Sequence, residues 1–324
     1  MATLAVRSIL CPVDFSEPSR QALLWAAAIA WRRSAALIVM SVVDPLLAQA
    51  AGIRLHVDLA EADVEPALRE FVDATLPASV RQASQVRMVV RVGDTADAIL
   101  QTARRLDTGL VVMGTHGRGG FRKLILGSTT EQVLRRTEWP VLAVPPGAVS
   151  APEVEHPGVQ LNKILVATDF REGALAAMRW AGDLASDISV PLVLAHVVEP
   201  VVVSELWQPL VADLDNDHVA AAQRTLARLA AGFRDEPNDY VVSVGPPAET
   251  IASLAKEHDA GLVIMGLANA EDWGLRAPGS TAYHVLRIGH VAVVVVPRCA
   301  TRAAGDRAAQ ASLAQPSAVQ TPTL

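Results

Sequence analysis

The sequence is poor in two residue types, and each shortage excludes a class of protein. Aromatic residues make up 4% of the 324 residues while 51% are hydrophobic, so small aliphatic side chains must supply most of the core. Such a composition favours helices packed on a Val-rich parallel sheet. The two cysteines, Cys11 and Cys299, are too few for a disulfide framework and indicate a reducing compartment.

Strong net charge and long apolar runs are lacking as well. The net charge of −6 is too mild to favour binding to nucleic acid or to an anionic membrane surface. The apolar runs at 22–31 and 291–296 are shorter than the roughly 20 residues that a membrane-spanning helix needs. The first residues lack the basic and apolar regions of a signal peptide. We therefore expect a cytoplasmic protein with no membrane or nucleic-acid partner.

What the chain does contain is one unit written twice. Residues 9–15 match 164–170, 110–114 match 262–266, 127–129 match 279–281, and 140–145 have a counterpart in 291–297. Matches in the same order at such a long period indicate a duplicated domain rather than a solenoid. We predict a first domain over 1–147 and a second over 161–298. Between them, 148–160 has the composition of a linker, and 299–324 that of a disordered tail.

Strands and helices alternate within the first copy. Short apolar runs predict strands at 9–13, 37–42, 86–92, 110–113 and 141–144. Helical patterns predict helices from a cap at Ser16 to about Arg33, over 59–76 and 95–106, and from Ser128. This alternation predicts an α/β fold with a doubly wound parallel sheet in each copy.

Some large or charged residues on the helices have plain structural interpretations. Trp25, Trp31 and Trp180 lie on helix faces and are expected to be packing residues. Arg32-Arg33 and Arg104-Arg105 are expected to be solvated helix ends, which the helix dipole favours.

Ligands of doubly wound sheets bind beyond the carboxyl ends of the strands, and residues 114–130 follow such an end. Gly114 and Gly117 permit a sharp turn and close approach to a ligand. Gly127-Ser128 opens a helix whose free N–H groups favour an anion. Hydroxyl and basic side chains complete this predicted phosphate site: Ser128, Thr129, Arg118, Arg122 and Lys123.

Two familiar phosphate loops are excluded. No Gly-Lys-Ser/Thr closes the segment, as a Walker A loop requires, and Arg122 stands where the dinucleotide fingerprint has its third Gly. His116 lacks a second His or a carboxylate pair nearby in sequence, so a loop or backbone contact is favoured over catalysis. Asp14 follows the first strand and is a candidate acceptor for a ribose or base, with a helix cap as the alternative.

The spacing Gly114-x-x-Gly117, nine residues, Gly127-Ser128 resembles the nucleotide-binding signature of the universal stress protein family. The turn at 12–16, Pro-Val-Asp-Phe-Ser, resembles that family's first strand and turn. The resemblance covers roughly 8–145 and 162–297. It implies two doubly wound five-stranded parallel sheets of order 3-2-1-4-5, which are Rossmann-like and similar to adenine nucleotide alpha hydrolases. It also implies ATP binding, because some family members bind ATP.

The resemblance further implies a set of site residues in the first copy. Asp14 and Val42 would lie at the adenosine, and the glycine-rich segment would hold the ribose and phosphates. The nucleotide-binding set is Pro12, Asp14, Val42, Gly114, His116, Gly117, Arg118, Gly127, Ser128 and Thr129. We expect Mg²⁺ to accompany the triphosphate and offset its charge.

The second copy departs from this pattern. Asn269 replaces the second Gly, Glu271 and Asp272 add negative charge, and Pro278 removes a backbone donor before the helix. We therefore expect ATP in the first copy and weak or no ATP binding in the second. An adenosine or AMP would still find matching residues there: Asp169, Val197, Gly266, Gly279, Ser280 and Thr281.

Two functions fit these patterns. One is an ATP-binding regulatory or sensory protein of the stress response, and the other is an enzyme of adenylate or phosphoryl chemistry, such as an ATP hydrolase. The sequence offers no recognisable nucleophile, base or metal-ligand cluster, which favours the first.

The apolar last strands, 141–144 and 291–296, would be sheet edges in the implied strand order. A bare apolar edge strand invites pairing with another strand. We expect these two edges to pair within one chain, and further self-association is left open.

Overall fold

Helices and strands alternate through both copies in a computed structural model that describes residues 6–55, 63–116, 126–148, 161–200, 208–232, 239–267 and 280–298. The first copy contains β1 (Ser8–Pro12), α1 (Glu17–Arg33), β2 (Ala36–Val43), α2 (Pro45–Leu55), α3 (Glu65–Thr75), α4 (Ala78–Ala83), β3 (Arg87–Val92), α5 (Thr95–Arg105), β4 (Leu110–Gly114), α6 (Ser128–Arg136) and β5 (Val141–Val144). The second contains β6 (Lys163–Ala167), α7 (Glu172–Ile188), β7 (Leu192–Val198), α8 (Gln208–Ala230), β8 (Asp239–Val244), α9 (Pro247–Glu257), β9 (Ala260–Leu267), α10 (Ser280–Ile288) and β10 (Ala292–Pro297).

The strands form a single sheet of order β3-β2-β1-β4-β5-β10-β9-β6-β7-β8. All pairs within a copy are parallel, and each copy has the predicted order 3-2-1-4-5. The copies join where β5 pairs with β10 in antiparallel register, with Leu142 opposite Val294. This pairing confirms the expectation that the two apolar edges meet within the chain.

The core is two continuous layers, one on each face of the sheet. Helices α1 and α7 cover one face, and Trp25 and Trp180 at their matching positions are 0% and 2% exposed. Helices α5 and α6 cover the other face together with α9 and α10. Both layers run through both copies, so the pairing of β5 with β10 also joins the two hydrophobic cores.

The helices around the edge of the first copy differ from the sequence prediction. The predicted helix over 59–76 is α3 from Glu65 to Thr75, and its first predicted residues lie outside the described part. Helices α2 and α4 were not predicted, although the Asp44 carboxylate accepts a hydrogen bond from the Leu46 N–H at 2.7 Å and so marks the start of α2. No helix in the described ranges is both long and apolar enough to cross a membrane.

Two structural interpretations of helix residues were wrong. The Arg33 side chain is 4% exposed and pairs with Asp187, so it is not a solvated helix end. Trp31 is 40% exposed and does not pack fully against the sheet. The error on Arg33 has a physical reason: helix α7 of the second copy covers part of α1, which no argument from one copy can include. Residues 149–160 of the predicted linker and the whole predicted tail at 299–324 lie outside the described residues.

Candidate functional site

The predicted site lies between two neighbouring strands, β1 and β4, whose following helices pack on opposite faces of the sheet. Strand β1 lies between β2 and β4, and the helix after β1 packs on one face while the helix after β4 packs on the other. Such a reversal leaves a crevice at the carboxyl ends of the two strands. Pro12 ends β1, Val42 is near the end of β2, and Gly114 ends β4, so the structure brings these predicted residues to one end of the sheet.

The turn after β1 is held by the Asp14 carboxylate. Its Oδ1 accepts hydrogen bonds from the backbone N–H of Ser16 at 3.1 Å and from the Ser16 hydroxyl. Ser16 is the N-cap of α1, and its oxygen in turn accepts from the Ser19 N–H at 3.3 Å. The alternative that Asp14 caps the helix is therefore wrong, because Asp14 orients the residue that does. The carboxylate is half-buried at the mouth of the crevice.

Gly114 is required for packing. A Cβ at this position would lie 3.0 Å from the backbone carbon and oxygen of Pro18, in the first turn of α1. The missing side chain thus lets α1, and the Asp14 turn before it, approach the end of β4 closely. Thr130 of α6 also holds the end of β4, because its hydroxyl donates to the Gly114 carbonyl at 2.9 Å. Sequence reasoning missed Thr130, whose only signal is a hydroxyl in the first turn of α6.

The N-terminus of α6 faces the crevice without a side-chain cap. Its N-cap is Gly127, whose own N–H donates to the Thr115 carbonyl at 2.7 Å. The amide of Gly127 is therefore engaged, and the amides of Ser128, Thr129 and Thr130 are the helix donors that lack an intrahelical acceptor. Such amides and the helix dipole favour an anion. Ser128 is exposed and Thr129 is half-buried.

His116 sits between the strand end and the segment that follows. Its Nδ1 lies 2.8 Å from the Thr115 hydroxyl oxygen, and its Nε2 is buried without a hydrogen-bond partner among the described residues. Over the same residues, no group of three or more His, Cys, Asp or Glu side chains gathers into a metal site. Gly117 and Arg118 lie outside the described residues, as do Arg122 and Lys123, so their roles stay predictions.

The second copy repeats the turn with different contacts. Asp169 is exposed, and its carboxylate accepts from the Arg171 N–H at 3.0 Å and pairs with the Arg171 guanidinium at 3.7 Å. Arg171 occupies the N-cap position of α7 and makes no side-chain capping bond. His196 of β7 stacks on Phe170 at 4.3 Å, and its Nδ1 lies 2.7 Å from the Thr168 carbonyl, to which it must donate.

The remaining predicted residues of the second copy are only partly described. Gly266 is packed more tightly than Gly114, since a Cβ there would lie 2.5 Å from the backbone of Gly173. Val197 and Thr281 are half-buried, and Ser280 begins α10. Ala282 stands where the first copy has Thr130, so the hydroxyl bond to the strand end has no counterpart. Gly279 and the segment 268–279 lie outside the described residues.

Comparisons with known proteins agree on one family. The sequence model described as the universal stress protein family matches residues 5–145 and 160–297. A universal stress protein of Mycobacterium tuberculosis is 27% identical over 314 residues, which cover 89% of this chain and 94% of that protein. A universal stress protein of Methanocaldococcus jannaschii is 26% identical over 152 residues, covering 43% of this chain and 94% of that protein. The crystal structure of a universal stress protein from Archaeoglobus fulgidus has a TM-score of 0.61 at 22% identity, covering 90% of this chain and 99% of that one.

Proposed function

The chain belongs to the universal stress protein family, and on that premise we propose that its first copy binds ATP and that the protein acts as a nucleotide-dependent regulator or sensor. One observation carries the proposal. The uncapped N-terminus of α6 lies at the same crevice as the Asp14 turn, at the point where the strand order reverses. Anion donors and an adenosine acceptor therefore flank one opening.

The phosphates are assigned to the start of α6. Its first amides have no intrahelical acceptors, and the hydroxyls of Ser128 and Thr129 stand beside them. Gly127 lets the start of α6 lie close to the end of β4, since a Cβ there would lie 3.0 Å from the Thr115 carbonyl oxygen. The basic residues Arg118, Arg122 and Lys123 would add attraction for a triphosphate, which carries several negative charges.

The adenosine is assigned to the ends of β1 and β2. The Asp14 carboxylate is half-buried and already oriented by Ser16, so it loses little freedom when it accepts from a ribose hydroxyl. Val42 is half-buried in the neighbouring strand, where an apolar side chain suits the face of a base. Mg²⁺ would arrive on the triphosphate oxygens, because the described residues offer no cluster of metal ligands of their own.

The second copy is proposed to bind ATP weakly or not at all. Its segment 266–280 carries Glu271, Asp272 and Arg276, a net charge of −1, where the first copy has three basic residues and no acidic one. The two segments therefore differ by four units of net charge, from +3 to −1. If half of this difference acts on the phosphates, the ATP affinities of the two copies differ by about tenfold, or roughly 1–2 kcal/mol. AMP or adenosine would escape most of that repulsion.

Release of bound nucleotide gives the direct test. The purified protein is denatured, and the supernatant is separated by chromatography and identified by mass spectrometry. Titration calorimetry with Mg²⁺-ATP on the protein freed of nucleotide then counts sites. We expect one ATP for each chain. No released nucleotide together with no calorimetric binding would refute the proposal.

Enzymatic turnover is the second candidate, because the buried Nε2 of His116 has no hydrogen-bond partner among the described residues. The variant His116→Ala separates the two functions. A regulator should show modestly changed affinity and unchanged slow hydrolysis. Loss of hydrolysis by more than about a hundredfold at unchanged affinity would instead identify His116 as a general base.

A further inference from the structure

We propose that an ion pair between α1 and α7, with a buried arginine as its cation, makes each copy select the other and reject a copy of its own kind. Arg33 ends α1 in the first copy, and Asp187 lies in the last turn of α7 in the second. Their Nη2 and Oδ2 atoms are 2.7 Å apart, with the Arg33 side chain 4% exposed and that of Asp187 39% exposed. The pair therefore joins the two copies through a charge that solvent hardly reaches.

The second copy supplies the negative charge that Arg33 needs. Burial lowers the pKa of the Arg33 guanidinium, and the carboxylates of Asp187 and Asp183 oppose that shift. Both acidic residues belong to α7. A buried charge that loses its partner is strongly destabilising, whereas a paired one is tolerated. A neighbouring helix that carries acidic residues at these positions thus suits Arg33 better than one that lacks them.

Much of the apolar contact is shared by the copies, since Trp25 corresponds to Trp180 and Ile29 to Leu184. Trp25 of α1 and Trp180 of α7 occupy the same position and are both buried. Between the helices lies a cavity of about 10 Å³, lined by Trp25 and Ile29 on one side and by Leu184 and Ile188 on the other. It has room for one water molecule at most, so the apolar side chains of the two helices pack closely.

The charged positions do distinguish the copies. Helices α1 and α7 each have 17 residues, so Arg33 corresponds to Ile188, Arg32 to Asp187 and Ala28 to Asp183. In a pair of first copies, Arg33 would therefore face an arginine. In a pair of second copies, Asp187 would face Ile188. Only the mixed pair places a cation against carboxylates, and this is how complementary charges give specificity.

The test uses the full chain with a protease site inserted between residues 149 and 160, cleaved after folding. Native mass spectrometry identifies the pairs, and sedimentation gives the Kd of the halves. We expect mixed pairs alone from the wild type. Arg33→Asp should raise the Kd at least about a hundredfold, and adding Asp187→Arg should restore it to within about tenfold. The matched control is Arg104→Asp, because Arg104 forms an exposed ion pair with Glu138 at 2.6 Å inside the first copy. This variant should leave the Kd of the two halves unchanged.

Two results would overturn the proposal. One is an effect of Arg33→Asp no larger than that of Arg104→Asp, and the other is wild-type halves that form like pairs as readily as mixed ones. Arg33→Met provides a second test that keeps the buried stem and removes only the charge. We expect pairs of first copies to appear in this variant, and their absence would count against charge as the source of selection.

Discussion

The two copies share a backbone and differ in the polar contacts that hold it. Phe15 and Phe170, at matching positions after β1 and β6, have φ values of 64° and 63°, a region that bulky residues seldom adopt. Phe15 packs edge-on against Phe71 at 5.6 Å, whereas Phe170 stacks on His196. The same strained turn is thus stabilised in two ways. The comparison teaches that the fold requires the turn, while its surroundings are free to change.

Among the described residues, the first copy has side-chain hydrogen bonds around that turn that the second copy lacks. In the first copy Asp14 orients the capping Ser16, and Thr130 ties α6 to the end of β4. In the second copy Asp169 pairs with Arg171, and Ala282 offers no hydroxyl. The first copy therefore keeps a prearranged crevice, and the second keeps mainly the frame.

The largest expected effect tests the shared frame. In Gly266→Ala the new Cβ would lie 2.5 Å from the backbone of Gly173, so the helix must shift, and we expect a loss of about 3 kcal/mol in the free energy of unfolding. Gly114→Ala has 3.0 Å to Pro18 and should lose about 1 kcal/mol. Urea unfolding measures both. Equal losses would contradict the tighter packing of the second copy.

The next effect tests whether the crevices are unequal. Gly127→Glu places a carboxylate at the start of α6 and a Cβ 3.0 Å from the Thr115 carbonyl oxygen. We expect ATP affinity to fall at least about a hundredfold. Gly279→Glu is the matched change in the second copy and should leave calorimetric ATP binding unaltered. A second ATP site that survives Gly127→Glu at full affinity would show that the copies are equivalent.

A smaller effect concerns the helix caps. Ser16→Ala removes the side-chain cap of α1 and should cost about 1 kcal/mol. Arg171→Ser introduces a cap in α7 on an extended backbone at φ −78° and ψ 166°, and should gain up to about 1 kcal/mol. Arg171→Ala serves as the control and should be nearly neutral, because its ion pair with Asp169 is exposed. Thermal unfolding distinguishes these outcomes, and a destabilising Arg171→Ser would break the comparison.

The smallest effect concerns the contact between α6 and α10. The Tyr283 hydroxyl lies 3.4 Å from the Glu131 carbonyl oxygen, and burial raises the pKa of Tyr283 above its ordinary 10.0. The folded state thus favours the neutral phenol. Its contribution to the free energy of unfolding is fully present below pH 10 and is lost as pH rises through the pKa of the folded state. Ultraviolet titration of wild type minus Tyr283→Phe should show a midpoint above 10. A midpoint at or below 10 would mean that solvent reaches the phenol.

Residue patterns anticipated the frame better than the contacts. Apolar runs and the resemblance predicted the strand order and placed Asp14, Gly114 and Gly127 at one end of the sheet. They did not predict that Gly114 serves packing against Pro18 or that the Gly127 amide is already bonded, because both depend on how a helix sits against a strand. Arg33 shows the same limit across copies, since its burial requires α7. Local periodicity contains no information on such distant neighbours.

The antiparallel ladder between β5 and β10 gives the molecule two opposite ends. All strands of the first copy point one way along the sheet and all strands of the second point the other way, so the two crevices open in opposite directions. A partner that docks at one crevice leaves the other clear. Since the proposed nucleotide-binding set belongs to the first copy and the second copy departs from it in sequence, we expect the two ends of the molecule to differ in ligand binding.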